Sequence, residues 1–236
     1  MRQVLGASSL AEQVTEAVRE AIRSGELRAG ELYSVYQLAE RLNVSRTPVR
    51  EALLGLAETG LVRFERNRGF RVVRRDPKDI AEVFHLRLLL EVPAARLAAM
   101  NAAPLDGLRA ELAAMRTAAE DHDEPRFMSH DRAFHDLLLL AGGNAKLAGI
   151  VRGLRDATIA LGASTADRSR SLSDIADEHE PILAALAAGD ADGAAAAVRA
   201  HAAHTGELLL AQVAAENGTP VDPADADLIR SALFLS

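Results

Sequence analysis

The chain has 236 residues, of which 49% are hydrophobic and 26% are charged, so it has enough apolar material for a packed core. It contains no cysteine, which excludes disulfides, thiolate metal sites and cysteine nucleophiles. No stretch approaches the roughly 20 apolar residues of a membrane span, so we expect a cytoplasmic protein with no membrane partner.

The formal net charge of −7 is divided unevenly along the chain. Residues 1–75 contain 13 Lys and Arg against 9 Asp and Glu, a net charge of +4, whereas residues 76–236 have a net charge of −11. Phosphate contacts need local rather than global positive charge. An N-terminal DNA-binding module is therefore compatible with an acidic chain.

The first 75 residues predict three helices followed by a hairpin. Ser8 or Ser9 could cap the first helix, and Glu12 lies where a capping-box acid would help. The apolar spacing predicts helices over residues 8–24, 34–42 and 47–58. Two short apolar runs, 61–64 and 70–73, read as strands that flank a basic hairpin tip with a turn glycine. This order is that of a winged helix-turn-helix.

From residue 77 onward the pattern predicts only helices joined by short loops, which is typical of an antiparallel bundle. The predicted helices are 77–101, 104–120, 124–141, 145–163, 171–188, 190–215 and 223–234. We therefore predict a mainly α protein with three domains or segments. These are a winged helix-turn-helix at 1–75, an all-helical domain at 76–216, and a tail with a short helix at 217–236.

The third helix has the residues expected of a DNA recognition helix. Arg46 and Arg50 are four residues apart and share one face of its first turn, where a recognition helix enters the major groove. Arginine can bond guanine O6 and N7 together, and Thr47 can contact a phosphate or a thymine methyl group. The alternative is a surface helix with solvated arginines. The surrounding helix-turn-helix and the basic wing, with Arg66 and Arg68, favour DNA binding.

Residues 10–73 resemble the winged-helix domain of the GntR family of bacterial regulators. The matching segments are residues 25–30, 38–53 and 60–62. The resemblance implies DNA contacts by Arg46, Thr47, Arg50 and the wing glycine Gly69. Many relatives have an arginine in the second helix where this chain has Tyr36, which could bond a phosphate, stack on a sugar or simply pack.

Residues 77–215 resemble the all-helical ligand-binding domain of the FadR subfamily, of the FCD type. The matching segments are 87–91, 131–135, 143–144, 178–180 and 187–190, together with His201. The resemblance implies a metal ion inside the bundle that contacts a small organic-acid effector. Carried over by motif, its ligands are Asp131, His135, His179 and His201.

The residue types support the same reading. Asp131 and His135 are four residues apart and project from one helical face, whereas His179 and His201 lie on later helices. One carboxylate and three imidazoles suit a divalent ion, with zinc as the first choice and nickel, manganese or iron as alternatives. His204, one turn after His201, is the alternative fourth ligand.

Arg87 is the candidate effector-binding residue. It lies mid-helix among apolar residues, so its enclosed guanidinium needs an anion. That anion would be either an effector carboxylate or Glu91, four residues further on.

We therefore predict a ligand-responsive transcription regulator, in first place a homodimeric repressor that an organic acid releases from a near-palindromic operator. One alternative is a metal-sensing regulator with the ion itself as effector. Another is a metal-dependent hydrolase or lyase, in which Glu178 or Glu180 would be the base. The chain has no nucleophile elbow or phosphate loop, so we predict no catalytic residue and no enzyme.

Overall fold

The structure is a computed structural model that describes residues 9–231, apart from residues 59, 67, 75, 161–163, 167 and 168. The chain forms two compact units, one before and one after residue 75, except that Ile159 and Ala160 group with the first. Within the described ranges, no helix is both long enough and apolar enough to cross a membrane.

The first unit combines helices with a small antiparallel sheet. Its elements are α1 (Leu10–Arg23), β1 (Leu32–Tyr33), α2 (Val35–Arg41), α3 (Arg46–Glu58), β2 (Val62–Glu65) and β3 (Gly69–Val72). The strand order is β1-β3-β2, and β2 and β3 form the predicted hairpin. The sequence analysis missed β1, because a strand of two residues has no alternation that a pattern can show.

A local cap begins α1, and an apolar core that α1 shares with α3 and β3 fixes the position of α3. The Ser9 hydroxyl accepts a hydrogen bond from the Glu12 amide at 3.1 Å, and the Glu12 carboxylate accepts one from the Ser9 amide at 2.6 Å. Of the two serines predicted as possible caps, Ser9 is therefore the cap, with Glu12 as its capping-box acid, while Ser8 lies outside the described residues. Val18 of α1, Leu53 of α3 and Phe70 of β3 are fully buried in one apolar cluster. Because one face of α3 is buried there, the opposite face is left to solvent.

In the described ranges the second unit is helical. Its helices are α4 (Pro77–Met100), α5 (Leu105–Glu120), α6 (Glu124–Ala141), α7 (Ala145–Ala160), α8 (Leu172–Asp177), α9 (Glu180–Ala188), α10 (Ala191–Glu216) and α11 (Pro223–Ser231). The two longest helices, α4 and α10, pack along each other, and α5 packs against α6. The prediction of a mainly α protein, with a winged helix followed by a helical bundle, is confirmed.

The prediction of one helix over 171–188 is wrong. The chain forms α8 and α9 instead, separated at Glu178 and His179. Pro181 has no amide hydrogen to bond the Asp177 carbonyl, and its ring would clash with that carbonyl in a continuous helix. The His179 amide bonds the Ala176 carbonyl at 3.1 Å, so His179 lies at the break and begins α9.

The C-terminal segment ends in α11, which packs on α4 and α10. Ile229 is fully buried there, and His85 Nδ1 of α4 lies 2.6 Å from the Leu228 carbonyl oxygen. The helix predicted over 223–234 is observed to residue 231, and the helix predicted over 145–163 to residue 160. Residues 161–163 and 232–236 lie outside the described part of the chain.

Candidate DNA-binding surface and candidate metal centre

One groove of the first unit brings together the side chains that the sequence analysis assigned to DNA contacts. It has a volume of about 810 Å³ between the start of α2, the outer face of α3 and the β2–β3 wing. All seven predicted residues line it: Tyr36, Arg46, Thr47, Arg50, Arg66, Arg68 and Gly69. Their assignment to DNA contacts stays a prediction, and their common location supports it.

Packing within the protein explains why residue 69 is a glycine but does not explain why residue 36 is a tyrosine. Tyr36 is 62% exposed, so packing does not account for an aromatic residue at this position. Gly69 has a φ of 124°, and a Cβ there would lie 2.0 Å from the Tyr33 carbonyl oxygen. The close approach of β1 to the wing therefore requires glycine at residue 69, independently of any contact with DNA.

An acidic side chain anchors the wing. Arg71 Nε donates to Glu65 at 2.6 Å, and Arg68 Nη1 lies 3.2 Å from the other oxygen of the same carboxylate. These arginines, with Arg71 first, lower the pKa of Glu65. Part of the positive charge of the wing is thus neutralised, and Arg66 at the tip remains exposed.

In the second unit, the four predicted metal ligands converge inside the helical bundle. Asp131 and His135 come from α6, His179 from the start of α9 and His201 from α10, and all four are buried. One ligand atom from each lies within 4.8 Å of the others. His204, the alternative to His201, is exposed and is not a member of this cluster.

The separations between donor atoms fit a small cation. His179 Nε2 lies 3.1 Å from His135 Nε2 and 3.2 Å from Asp131 Oδ1, and His135 Nε2 lies 3.8 Å from Asp131 Oδ1. Zinc–nitrogen bonds of about 2.1 Å at tetrahedral or octahedral angles put neighbouring donors roughly 3.0–3.4 Å apart. These three donors need only a small adjustment to hold such an ion, and the full set with His201 lies within 4.8 Å.

Hydrogen bonds turn the Nε2 atoms of two histidines toward the centre of the cluster. His179 Nδ1 lies 2.8 Å from the Ile175 carbonyl oxygen, and His201 Nδ1 lies 2.9 Å from Glu178 Oε2. Each acceptor favours a proton on Nδ1 and so leaves the Nε2 lone pair free. Such outer partners are typical of metal-binding histidines.

The site also favours the protonation states that metal binding requires. Burial and the neighbouring Arg155 guanidinium lower the pKa of His135 well below its usual range, and burial lowers the pKa of His201 to about 4. The pKa of Asp131 is also lowered, because Arg155 and His179 outweigh the opposing effect of burial. Near neutral pH these groups are two neutral imidazoles and a carboxylate, as metal ligands must be.

A second layer of charged groups surrounds the cluster. Arg155 of α7 donates from Nη2 to Asp131 at 2.7 Å, and Arg87 Nε of α4 donates to Glu91 at 2.6 Å. Arg87 also stacks on Phe84, with its Cζ 4.5 Å from the ring centroid. Two anions were predicted as possible partners of Arg87, and in the structure the partner is Glu91. A contact between Arg87 and an effector stays a prediction.

Three buried polar atoms beside the cluster have no hydrogen-bond partner among the described residues. They are Glu91 Oε2, His135 Nδ1 and Arg155 Nη1. Glu91 Oε2 lies 3.7 Å from Arg155 Nη1 and 3.8 Å from His135 Nδ1. An unpaired donor beside an unpaired acceptor is costly in a buried site and favours a polar ligand that satisfies both.

Arg155 and Arg170 were not predicted as site residues from the sequence. Arg155 lies in α7 close to Gly153, Arg152 and Asp156, a neighbourhood typical of a surface arginine. Only the packing of the bundle brings its side chain to Asp131. Arg170 lies in a Ser/Thr-rich segment that reads as a loop, yet its side chain is only 7% exposed and contacts Glu178. Neither residue has a local sequence signal.

Comparisons with known proteins agree with this two-part organisation. Residues 10–72 match the model of "Bacterial regulatory proteins, gntR family", and residues 82–204 match that of the FCD domain. The chain is 35% identical over 199 residues to the "Probable D-xylose utilization operon transcriptional repressor" of Paenarthrobacter nicotinovorans, a match that covers 83% of this chain and 87% of that protein.

A second curated relative and a solved structure extend the likeness. The chain is 29% identical over 193 residues to the "Gluconate operon transcriptional repressor" of Bacillus subtilis strain 168, with 79% of each protein covered. The solved structure of E. coli McbR/YncC has a TM-score of 0.56 and 25% identity, covering 87% of this chain and 99% of that one. The chain belongs to the GntR family of bacterial regulatory proteins, in its FadR-type branch with an FCD domain, and is a DNA-binding, effector-responsive transcription regulator rather than an enzyme.

Proposed function

We propose that this regulator is a repressor whose second unit binds a divalent metal ion and, beside it, a small organic acid that releases the protein from operator DNA. The convergence of Asp131, His135, His179 and His201 within 4.8 Å carries the proposal. These residues would hold the ion, with zinc as the first choice. A bound ion would supply a Lewis-acidic position for an oxygen of the effector. The cytoplasmic location expected from the sequence is part of the same proposal.

The charge balance of the site favours an anionic effector. The carboxylates Asp131, Glu91 and Glu178 face the guanidinium groups of Arg155, Arg87 and Arg170. These six groups are neutral in sum, so a divalent cation would leave an uncompensated buried charge of about +2. A carboxylate ligand would offset part of it.

The unpaired atoms specify how such a ligand is held. Arg155 Nη1 can donate to an effector carboxylate, and Glu91 Oε2 can accept from an effector hydroxyl group. Arg87 contributes by holding Glu91 in place. A hydroxy acid matches both partners, whereas an acid without the hydroxyl group leaves Glu91 Oε2 unpaired. The name of the gluconate operon relative supports sugar acids as a starting class.

Effector binding must favour a conformation that binds DNA less well, since a ligand with equal affinity for both states shifts nothing. Arg155 lies on α7 and contacts Asp131 of α6. A carboxylate that draws Arg155 away from Asp131 would change the contact between these helices. We propose this change as the first step of operator release.

A thermal-melt screen of the full chain against small carboxylic and hydroxy acids, with and without chelator, tests the proposal. A ligand at 100 times its dissociation constant should add about 2.7 kcal/mol to the free energy of unfolding. We expect a stabilising acid whose effect disappears with chelator. Stabilisation by metal with no response to any acid would favour the metal-sensing alternative, and no response to either would contradict the metal–effector pocket.

A further inference from the structure

Arg170 has a buried guanidinium in which every nitrogen has a protein partner. Nε donates to Thr165 Oγ1 at 3.1 Å and Nη2 donates to Thr205 Oγ1 at 2.7 Å. Nη1 contacts both carboxylate oxygens of Glu178, with 2.5 Å to Oε1. Arginine is suited to this role because its planar fork holds several acceptors in one fixed geometry.

Glu178 connects Arg170 to the metal cluster. Its Oε2 accepts a hydrogen bond from His201 Nδ1 at 2.9 Å, although Glu178 is itself no member of the cluster. The Glu178 side chain is 22% exposed, so without Arg170 it has room to rotate toward solvent. His201 would then lose the acceptor that holds the proton on Nδ1.

Thr205 joins the same chain of contacts from α10. Its hydroxyl donates to the His201 carbonyl oxygen at 2.9 Å and accepts from Arg170, so the guanidinium is fixed to the helical turn that carries His201. Arg170 is thus linked to His201 in two ways: through Glu178, which bonds the His201 ring, and through Thr205, which bonds the His201 carbonyl oxygen.

We propose that Arg170 is a positioning residue of the metal site, which acts through Glu178 to hold His201 with its Nε2 directed at Asp131, His135 and His179. This inference rests on the proposed metal site. It means that Arg170, which lies outside the cluster in the segment before α8, affects the affinity of the site for metal. Loss of an outer partner of this kind typically weakens metal binding by 10–100-fold.

A double-mutant cycle on the full chain separates this role from a general structural one. Zinc affinity is measured by competition with a chelator for the wild type, Arg170→Gln, Glu178→Ala and the double variant. We expect each single variant to bind zinc about tenfold or more weakly. The double variant should bind no more weakly than Glu178→Ala alone, because Arg170 acts through Glu178.

Arg116→Gln is the matched control. Arg116 pairs with Asp177 and Glu180, on either side of the same α8–α9 break, but is 48% exposed and does not contact Glu178. We expect its zinc affinity to stay within twofold of the wild type. Equal effects of Arg170→Gln and Arg116→Gln, or additive losses in the cycle, would overturn the proposal.

Nitrogen-15 NMR of the metal-free protein gives a readout independent of metal. We expect His201 to be protonated on Nδ1 in the wild type and in Arg116→Gln, and to show mixed tautomers in Arg170→Gln. If the wild type binds no zinc, the proposed metal site fails, and this comparison still decides the role of Arg170. Should Arg170→Gln not fold, Arg170→Lys keeps the charge but cannot span its three partners. We expect mixed tautomers there too, and an unchanged His201 would contradict the proposal.

Discussion

Single side chains in the groove between α2, α3 and the wing have different predicted roles in DNA binding. Arg46 and Arg50 lie on the outer face of α3, where a recognition helix reaches base edges, whereas Arg66 lies at the exposed tip of the wing. Base contacts select sequence and phosphate contacts supply general affinity. Substitutions in the two places should therefore differ in kind.

We expect Arg50→Ala to cost about 1–3 kcal/mol of operator binding and to relax sequence preference at one position. Arg66→Ala should weaken binding to all DNA sequences alike. It should also lower the slope of log affinity against log salt concentration by about one, as the loss of one phosphate contact would. Fluorescence anisotropy at several salt concentrations, on an operator selected from random DNA, measures both. Arg19→Ala, on an exposed position of α1 outside the groove, is the control. A loss for Arg19→Ala equal to that for Arg50→Ala would contradict the assignment.

The buried histidines make the stability of the metal-free protein depend on pH. Burial lowers the pKa of His201 from 6.5 to about 4, so the unfolded chain binds more protons than the folded one between these values. Stability is therefore fully present above about pH 6.5 and is lost as the pH falls toward 4. The contribution of His201 is about 3 kcal/mol.

Urea unfolding of the metal-free protein between pH 7 and 5 checks this dependence, since most carboxylates stay ionised in that window. We expect the free energy of unfolding to fall with pH, and to fall less steeply in His201→Gln. A flat profile in the wild type, or the same slope in both proteins, would show that His201 is not buried in its neutral form.

At the residue scale, the sequence allowed all four candidate ligands to be named, because they match a motif whose residue types suit a metal. It did not allow the second layer to be named. Arg155 reaches Asp131 only because α7 packs beside α6, and Arg170 reaches Glu178 only because the chain folds back before α8. Contacts of this kind depend on packing between segments far apart in sequence and have no period or spacing that reveals them.

At the scale of elements, the close packing of α4 and α10 depends on one glycine. A Cβ at Gly206 would lie 2.8 Å from ring atoms of Phe84, which is fully buried and carries Arg87 on its ring. Gly206 thus lets α10 approach α4 where α4 presents Arg87 to the site.

We expect Gly206→Ala to destabilise the protein by about 1–3 kcal/mol through this overpacking, although alanine is the better helix former. Gly149→Ala in α7 is the matched control, because a Cβ there has no heavy atom within 4 Å. It should be stabilising by up to about 1 kcal/mol. Chemical denaturation of the two variants measures the difference, and equal effects would contradict the close approach.

Elements were predictable from sequence where a long period or a cap marked them. The capping box of α1 and the apolar spacing of α4, α6 and α10 gave bounds within a few residues. The break between α8 and α9 was missed, although Pro181 signals it, because apolar residues continue on both sides of it. Because His179 lies at that break, the wrong helix prediction affected the expected position of a candidate metal ligand.

At the scale of the whole molecule, several exposed apolar side chains of α4 and α7 bear on the predicted homodimer. Leu86, Leu97 and Met100 of α4 and Ile150 of α7 are 43–67% exposed. The half-buried Leu90 of α4 and Leu147 of α7 pack against one common apolar cluster and so join these helices. The near-palindromic operator expected from the sequence would be read by a two-fold symmetric dimer. The homodimer stays a prediction, and we propose these side chains as the place where a second copy of this chain would pack.

Leu97→Glu should weaken this dimer, because it places a charge in an apolar interface. Sedimentation velocity of the wild type is expected to give a dimer, and that of Leu97→Glu a monomer at micromolar concentration. Glu120→Lys, a charge change at the end of α5, is the control. A wild type that is monomeric at all concentrations would contradict this assembly.

Calorimetric titration of zinc into the metal-free full chain decides whether the buried cluster is a metal centre. We expect about one ion bound per chain, at least 100-fold weaker binding in His179→Gln, and unchanged binding in His130→Gln, whose imidazole pairs with Glu111 outside the cluster. No zinc binding in the wild type, or equal affinity in His179→Gln, would contradict the metal centre.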